Sequence, residues 1–201
     1  MSAIVPLSRL EAVNEMLFDI GERPVNSLSG STRLDVTRAI ATLDRVQRNV
    51  LTRGWWFNTE LIELTVDGSG YYNLPTNVVH AEVYDGGPTQ GPQDRTPFLV
   101  VRDSKLYDTE NQTDVFIGAA EVTLRIVRLL EYEVLPSSVR DYVYAAASIR
   151  NQSRAFGSKQ VDAELRDQAA SALATMHEEN LDALDLDQTT SDHFITLMWN
   201  R

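Results

Sequence analysis

The sequence predicts an α+β fold in which a helix pair at each end of the chain brackets a β-rich middle. Apolar residues recur at helical spacing before residue 54 and after residue 134, and the chain between is rich in β-branched and aromatic residues with partial alternation. Helices that bracket an insertion usually pack together. We therefore predict a four-helix bundle from residues 1–54 and 134–187, an inserted β-sandwich-like domain over residues 55–133, and a C-terminal arm over residues 188–201.

The first helix is predicted over residues 7–20. Ser8 and Glu11 have the spacing of a capping box, in which each side chain satisfies a backbone N–H of the other residue. Gly21 is typical of a helix end, and Pro24 prevents the helix from resuming.

The second helix is predicted from about residue 32 to residue 52, with Ser31 as its N-cap. Its apolar residues form one stripe, and its basic residues lie mostly off that stripe. The helix is therefore locally basic in an acidic protein, through Arg33, Arg38, Arg45 and Arg48.

The stretch RGWWFN, residues 53–58, raises a choice between an aromatic binding platform and a structural junction. Gly54 has the position of a helix C-terminal glycine, and the hydrophobic period changes directly after it. An aromatic platform for nucleic acid needs surrounding positive charge, and few cations are near in sequence. We predict that Gly54, Trp55, Trp56 and Phe57 form a structural seam between helices and sheet.

From Trp55 to about residue 130 the pattern predicts six or seven strands, enough for a small sandwich. Residues 84–97 are rich in proline and glycine and predict a long surface loop. Asp103 and Ser104 are predicted to form the turn of a hairpin.

Two further helices are predicted after the strands. Pro136 is suited to the first turn of the third helix, which should end near residue 157. Ser158 can cap the fourth helix, which we expect to run from Lys159 to about residue 186.

The composition excludes several classes of function. The formal net charge is −11, which disfavours a protein that grips nucleic-acid phosphates, because such affinity comes from clustered Lys and Arg. There is no cysteine, so disulfides, thiolate nucleophiles and Cys-ligated zinc are absent. No signal peptide is recognisable, and no apolar run approaches the roughly 20 residues that span a bilayer. We expect no cofactor and no metal.

The candidates for catalysis are isolated in sequence. His80 and His177 lack partners at motif spacing, and Ser191, Asp192 and His193 are adjacent rather than converging from separate elements. We interpret them as structural or solvated residues and expect no catalytic site.

Glu131 and Glu133 are the strongest alternative, because paired carboxylates can hydrolyse glycosidic bonds. Near the start of a helix, however, acidic residues more often interact with the helix N-terminus. A glycan hydrolase and a carbohydrate-binding module stay as alternatives to a structural role.

Charge is unevenly distributed along the chain. Residues 161–193 hold nine Asp or Glu and a single Arg, whereas the second helix is basic. Both regions are interpretable as solvated faces. A sharper hypothesis is that Asp162 and Glu164 of one subunit meet the arginines of the second helix, Arg33, Arg38, Arg45 and Arg48, on a neighbour.

Three stretches together resemble a known family. Residues 8–28 contain the pattern AVNxxLxxIGExPV, residues 53–58 contain RGWxFN, and residues 126–158 contain a helix with a spaced Pro, Arg, Tyr, Ala and Phe. Their order and spacing resemble those of tail tubular protein A, the head-to-tail adaptor or gatekeeper of short-tailed bacteriophages (podoviruses).

The resemblance implies a non-enzymatic virion protein that is made in the host cytoplasm and forms a twelve-subunit ring. Such a ring would join the portal protein to the tail nozzle protein, tail tubular protein B, with tail fibres as further candidate partners. Genomic DNA would pass through its lumen during ejection without specific binding, as an acidic wall favours.

The last residues are too apolar for a free tail. We hypothesise that they form an arm that docks on the portal or on a neighbouring subunit, with folding back onto the chain's own bundle as the alternative. The residues of the proposed arm contact are Phe194, Ile195, Leu197, Met198 and Trp199.

Overall fold

The structure is a computed structural model that describes residues 7–84, 99–116, 121–155 and 159–188. It divides into two compact units. The described residues of Met1–Val50 and Leu130–Asp185 form the helical unit, and those of Leu51–Leu129 and Leu186–Arg201 form the β unit.

The helical unit contains four helices, as the hydrophobic periodicity predicts. Their bounds are α1 (Arg9–Phe18), α2 (Leu34–Leu51), α3 (Ser137–Ala155) and α4 (Lys159–Gln188), and a short 3-10 turn, Tyr132–Val134, precedes α3. Ser31 lies three residues before α2, so the prediction that it caps this helix is wrong.

Both ends of α1 follow the sequence signals. Ser8 and Glu11 form the predicted capping box, in which the Ser8 backbone N–H donates to the Glu11 carboxylate at 2.8 Å. The pKa of Glu11 is lowered by the hydrogen bonds from Ser8. Gly21 has a φ of 74°, and the next N–H, of Glu22, donates back to the Leu17 carbonyl at 2.9 Å.

Polar contacts define how the helices run. Arg9 at the start of α1 pairs with Asp44 of α2 at 2.5 Å, so the beginning of α1 lies beside the second half of α2. Asn151 of α3 donates to the Met16 carbonyl of α1 at 3.4 Å. Ser138 near the start of α3 donates to Glu179 late in α4 at 2.6 Å, so α3 and α4 are antiparallel.

The core of the helical unit is apolar and drawn from all four helices and the 3-10 turn. Its buried residues include Ala12, Val13, Met16, Leu17, Val36, Ala39, Leu43, Val46, Tyr132, Val139, Val143, Ala147, Leu165 and Met176.

The β unit has two small antiparallel sheets. Strands β1 (Thr59–Leu64), β5 (Val122–Arg128) and β2 (Val78–Val83) form one sheet in the order β1–β5–β2. Strands β3 (Leu99–Arg102) and β4 (Lys105–Asp108) form the other. They are joined by the predicted turn at Asp103 and Ser104, whose φ values of 49° and 58° suit a tight hairpin.

Side chains from both sheets share one core. Ile126 and Leu124 of β5 are fully buried, and alternate residues of β1 pack beside them. The buried members of the cluster are Tyr72, Leu74, Ala81, Leu106, Leu124 and Ile126.

The described residues therefore confirm the α+β class and correct some details. They contain five strands rather than six or seven, and β1 begins at Thr59, so the aromatic residues before it belong to a turn rather than to a strand. Apart from Tyr84, the predicted loop over residues 84–97 lies outside the described residues. The four-helix bundle and the sandwich stay predictions.

Candidate functional site

The RGWWFN stretch is organised by its last residue, Asn58, which is fully buried. Its Nδ2 donates to the carbonyl of Leu51, the last residue of α2, at 2.9 Å, and to the Arg128 carbonyl at the end of β5 at 2.8 Å. Its Oδ1 accepts from the Trp55 backbone N–H at 2.8 Å. One amide thus serves three backbone groups, which fixes the turn between α2 and β1.

Gly54 is required at its position for two reasons. Its φ is 73°, in the left-handed region, and a Cβ at this site would lie 3.0 Å from Cγ2 of Val127. The side chain of Trp55 is buried, and its ring meets that of Trp56 edge-on at 6.5 Å, while Trp56 and Phe57 meet edge-on at 4.9 Å. A buried Trp55 is unsuited to a stacking platform, and the location of these residues at a seam stays a prediction.

The first stretch that carries the resemblance is held by Asn14 of α1. Its Nδ2 donates to the Val25 carbonyl at 3.0 Å, and its Oδ1 accepts from the Val25 N–H at 2.8 Å. This two-way pairing mimics a backbone ladder and fixes the loop after α1. It accounts for the fixed spacing between the Asn and the Val of that pattern.

The third stretch is held by Arg140 of α3. Its guanidinium donates to the carbonyls of Leu135 at 2.8 Å, Leu7 at 3.3 Å and Glu133. The buried Tyr132 hydroxyl donates to the Arg140 carbonyl at 3.3 Å, and burial raises the pKa of this phenol. Arg140 therefore ties the segments that lead into α1 and α3.

The family patterns include these three polar side chains, but sequence reasoning gave them no structural role. The available signals were an Asn next to buried apolar positions of α1, an Asn that closes an aromatic run, and an Arg four residues after Pro136. Each of the three holds backbone groups, so these members of the family patterns are part of the scaffold.

The four arginines of the predicted basic face of α2 differ in their surroundings. Arg33 is paired within the chain, with Asp35 and, at 3.3 Å, with Glu22, and its hydrogen bond to Asp35 raises its pKa. Arg38, Arg45 and Arg48 are exposed and form no ion pair with any described residue.

The predicted acidic residues of α4 also differ from one another. Asp162 is mostly buried, with its charge 3.9 Å from Arg166 one turn later, whereas Glu164 is exposed. Of the two, only Glu164 is free to meet another molecule through an exposed side chain.

Two clefts of unlike charge lie within the helical unit and share no residue. The first, of about 570 Å³, runs along α2 and is lined by Ile20, Asp35, Arg38, Ala41, Thr42, Arg45 and Asn151. The second, of about 630 Å³, runs along α4, and its charged lining is acidic, from Glu15, Asp141 and Glu179.

The catalytic candidates do not converge. Glu131 and Glu133 are exposed around the 3-10 turn and line neither cleft. His80 is exposed on β2, 4.0 Å from Glu82, and His177 is exposed on α4. Residues 191–193 lie outside the described residues.

Three further features of the chain bear on function. Over the described ranges, no group of three or more His, Cys, Asp or Glu is placed to hold a metal. No helix in this part of the chain is both long and apolar enough to cross a membrane. The predicted arm residues, Phe194, Ile195, Leu197, Met198 and Trp199, lie outside the described residues.

The scaffold is held by side-chain-to-backbone hydrogen bonds, and the exposed Arg38, Arg45 and Arg48 form no ion pair with any described residue, which fits a structural subunit. A sequence model of the tail tubular protein family matches residues 10–186. The chain is also 31% identical over 145 residues to tail tubular protein A of Klebsiella phage KP34, covering 71% of this chain and 72% of that protein. The chain therefore belongs to the tail tubular protein family and is a structural component of a bacteriophage tail.

Proposed function

We propose that the chain is a subunit of a ring-shaped adaptor that joins the portal to the tail nozzle and forms part of the DNA ejection channel. The observation that carries this proposal is the family match over residues 10–186, which includes nearly all of the described helices and strands. The scaffold roles of Asn14, Asn58 and Arg140 support it, because they leave the motif residues without a catalytic task.

The charge of the chain suits a conduit rather than a DNA-binding protein. A formal net charge of −11 repels phosphate, so a duplex inside a ring would slide instead of being held. Twelve copies in the ring, synthesis in the host cytoplasm and contact with tail fibres are parts of this proposal that come from the resemblance.

Two surfaces are proposed for assembly. The exposed arginines of α2 would face a neighbouring subunit, and the apolar arm over residues 188–201 would dock on the portal or a neighbour. Neither Glu131 nor Glu133 lines the two clefts described above, and we propose no second function.

The adaptor role is tested by reconstitution from purified portal ring, nozzle protein and this chain. We expect the nozzle protein to join the portal only when this chain is present, because an adaptor supplies both contact surfaces. Nozzle binding that is equal with and without the chain would contradict the proposal.

The arm is tested in the same assay with a chain that ends at residue 187. We expect this truncation to lose portal binding while the helical content, measured by circular dichroism, stays unchanged. If the shortened chain still binds portal rings normally, the arm hypothesis fails although the adaptor role stands.

A further inference from the structure

Helix α2 carries an exposed stripe that the described part of the chain leaves uncovered. Leu34, 62% exposed, is followed at alternating spacings of four and three residues by Arg38, Ala41, Arg45 and Arg48, all of them exposed. At 100° per residue, positions with this spacing lie on one helix face about 80° wide. The stripe is apolar at one end, small in the middle and basic along its length.

Helix α4 carries a second exposed stripe with the same spacing. It begins with Glu164 and Asp167, passes through the small residues Ser171 and Ala174, and ends with Glu178 and Leu181, all of them exposed. Leu181 is 59% exposed. This stripe is acidic, small in the middle and apolar at its end.

The two stripes match when the helices are placed antiparallel. Leu34 then lies opposite Leu181, Arg38 opposite Glu178, and Ala41 opposite Ala174. The next two pairs are Arg45 with Ser171 and Arg48 with Asp167. A parallel placement would set Leu34 against Glu164 and leave the apolar ends unmatched.

We propose that α2 of one copy docks antiparallel against α4 of a second copy through these two stripes. Each copy would use a different surface for each neighbour, which is the head-to-tail contact that builds rings. Because this names the contact between subunits of the adaptor, it rests on the proposed function. It replaces the predicted Arg33 and Asp162, which are engaged within the chain, by Asp167 and Glu178.

Packing would stabilise the contact between α2 and α4, and charge would select its orientation. The two leucines bury apolar area, and the facing alanines allow the helices to approach closely along α2, whose 18 residues span about 27 Å. Exposed ion pairs add little free energy singly, so the three arginines act chiefly by selecting orientation and register.

The absence of cysteine makes a direct test possible. The chain with Ala41→Cys and Ala174→Cys is treated with a short bis-maleimide, concentrated alone and then bound to the portal ring. We expect a ladder of covalent oligomers on a denaturing gel. The single variants should give no ladder, since in this contact neither position faces its own copy.

The matched control moves one thiol round the helix. Ala41→Cys with Thr175→Cys keeps the thiol at the same height on α4 but turns it by about 100°, and both native residues are exposed. We expect at least a tenfold lower yield of crosslinked oligomer from this pair. Equal yields from the two pairs, or a crosslink within one chain, would overturn the proposed contact.

Charge reversal provides an independent test of the contact. In the doubly cysteine-substituted chain, Arg38→Glu with Arg48→Glu should reduce the ladder at least tenfold, as should Asp167→Lys with Glu178→Lys, because these are the two pairs of opposite charge in the contact. Combining all four reversals in one chain should restore it. The control reverses the exposed Arg53 and Arg150, off the stripe, and should leave the ladder unchanged.

The outcomes separate this contact from the proposed function. If light scattering shows oligomers or portal-bound copies and the ladder is missing, the contact is wrong and the adaptor role stands. If the chain neither self-associates nor joins the portal, both are wrong. A full charge swap that fails to restore the ladder also counts against the contact.

Discussion

Asn58 illustrates how a single buried side chain can fix a junction. A neutral amide offers two donor hydrogens and an acceptor oxygen, and here both kinds of group are used, on the carbonyls of Leu51 and Arg128 and on the N–H of Trp55. All three backbone groups would otherwise need another partner, because a buried polar group without a hydrogen bond is costly.

Asn58→Ala should therefore lower the free energy of unfolding by about 2–4 kcal/mol, since it removes three hydrogen bonds at a fully buried site. The measurement is urea denaturation followed by tryptophan fluorescence and circular dichroism. Asn26→Ala, at an exposed position, is the control and should change stability by less than about 0.5 kcal/mol. Equal effects of the two substitutions would contradict the role given to Asn58.

A comparison of alanine substitutions at Gly54 and Gly30 separates the cost of backbone strain from the cost of a steric clash. Both have a φ near 72°, but a Cβ at Gly54 would lie 3.0 Å from the Val127 side chain, whereas nothing lies within 4 Å of a Cβ at Gly30. Gly30→Ala should cost about 1 kcal/mol through the left-handed backbone alone, and Gly54→Ala about 1–2 kcal/mol more. Denaturation curves of the two variants measure the difference in the free energy of unfolding. Equal losses would show that the Val127 side chain moves aside without cost.

Asp19 makes stability depend on pH. Burial raises the pKa of this carboxyl above its usual 3.8, and the Tyr144 hydroxyl lies 3.5 Å from it. Between the usual and the raised pKa the folded state binds more protons than the unfolded state, so this residue makes stability fall as pH rises through that window. Above the raised pKa the cost of the buried charge is fully present.

Asp19→Asn should consequently be at least as stable as the native chain at pH 7, because the amide removes the buried charge and keeps an acceptor for Tyr144. The advantage should shrink as the pH is lowered towards 3.8. Thermal melting of both proteins across this range measures it. If the variant is less stable at pH 7 and the two melting temperatures do not converge in acid, the Asp19 carboxylate itself stabilises the fold.

At the scale of elements, Arg140 links the beginnings of two helices. It reaches the carbonyls of Leu7, Glu133 and Leu135, which belong to the segments ahead of α1 and α3. A guanidinium has five donors in a planar fork, whereas an ammonium is a single compact donor group on a flexible stem. A lysine at position 140 therefore could not reproduce the three hydrogen bonds that the arginine makes.

Arg140→Lys should lower the free energy of unfolding by about 1–3 kcal/mol, because lysine cannot reach all three carbonyls at once. Arg150→Lys, on the exposed side of the same helix, is the matched control and should change it by less than about 0.5 kcal/mol. Chemical denaturation of both variants gives the comparison. If lysine is tolerated equally at both positions, the carbonyl contacts of Arg140 do not stabilise the fold.

Elements whose signals are local could be predicted from the sequence. The capping box of α1, the four helices and the turn at Asp103 and Ser104 each depend on residues within a few positions of one another. The start of β1 was placed too early, because aromatic composition indicated a strand where Asn58 instead holds a turn. Hydrogen bonds such as that of Arg140 to the Leu7 carbonyl join residues far apart in the chain, so no local sequence pattern predicts them.

The charged faces were predicted only in part for a related reason. Sequence indicated that α2 is basic and α4 acidic, but the pairing of Arg33 with Asp35 and the burial of Asp162 depend on how side chains pack. Exposure had to be known before the two stripes could be recognised. The family resemblance depended on residues that are close in sequence, and it is confirmed.

At the scale of the whole molecule, an acidic chain must overcome its own repulsion to assemble. Each copy carries a formal net charge of −11, so neighbouring copies repel unless opposite charges meet at their contact. The exposed arginines of α2, which form no ion pair with any described residue, would supply that local attraction, and a portal ring would supply a template that holds copies together.

The central claim, that this chain is the portal-binding adaptor, is tested most directly by mass. Light scattering is measured on the purified chain, on the portal ring, and on the ring with excess chain after separation. We expect the mass of the ring to rise by twelve copies of the 22.6 kDa chain. A portal ring whose mass is unchanged by excess chain would contradict the claim.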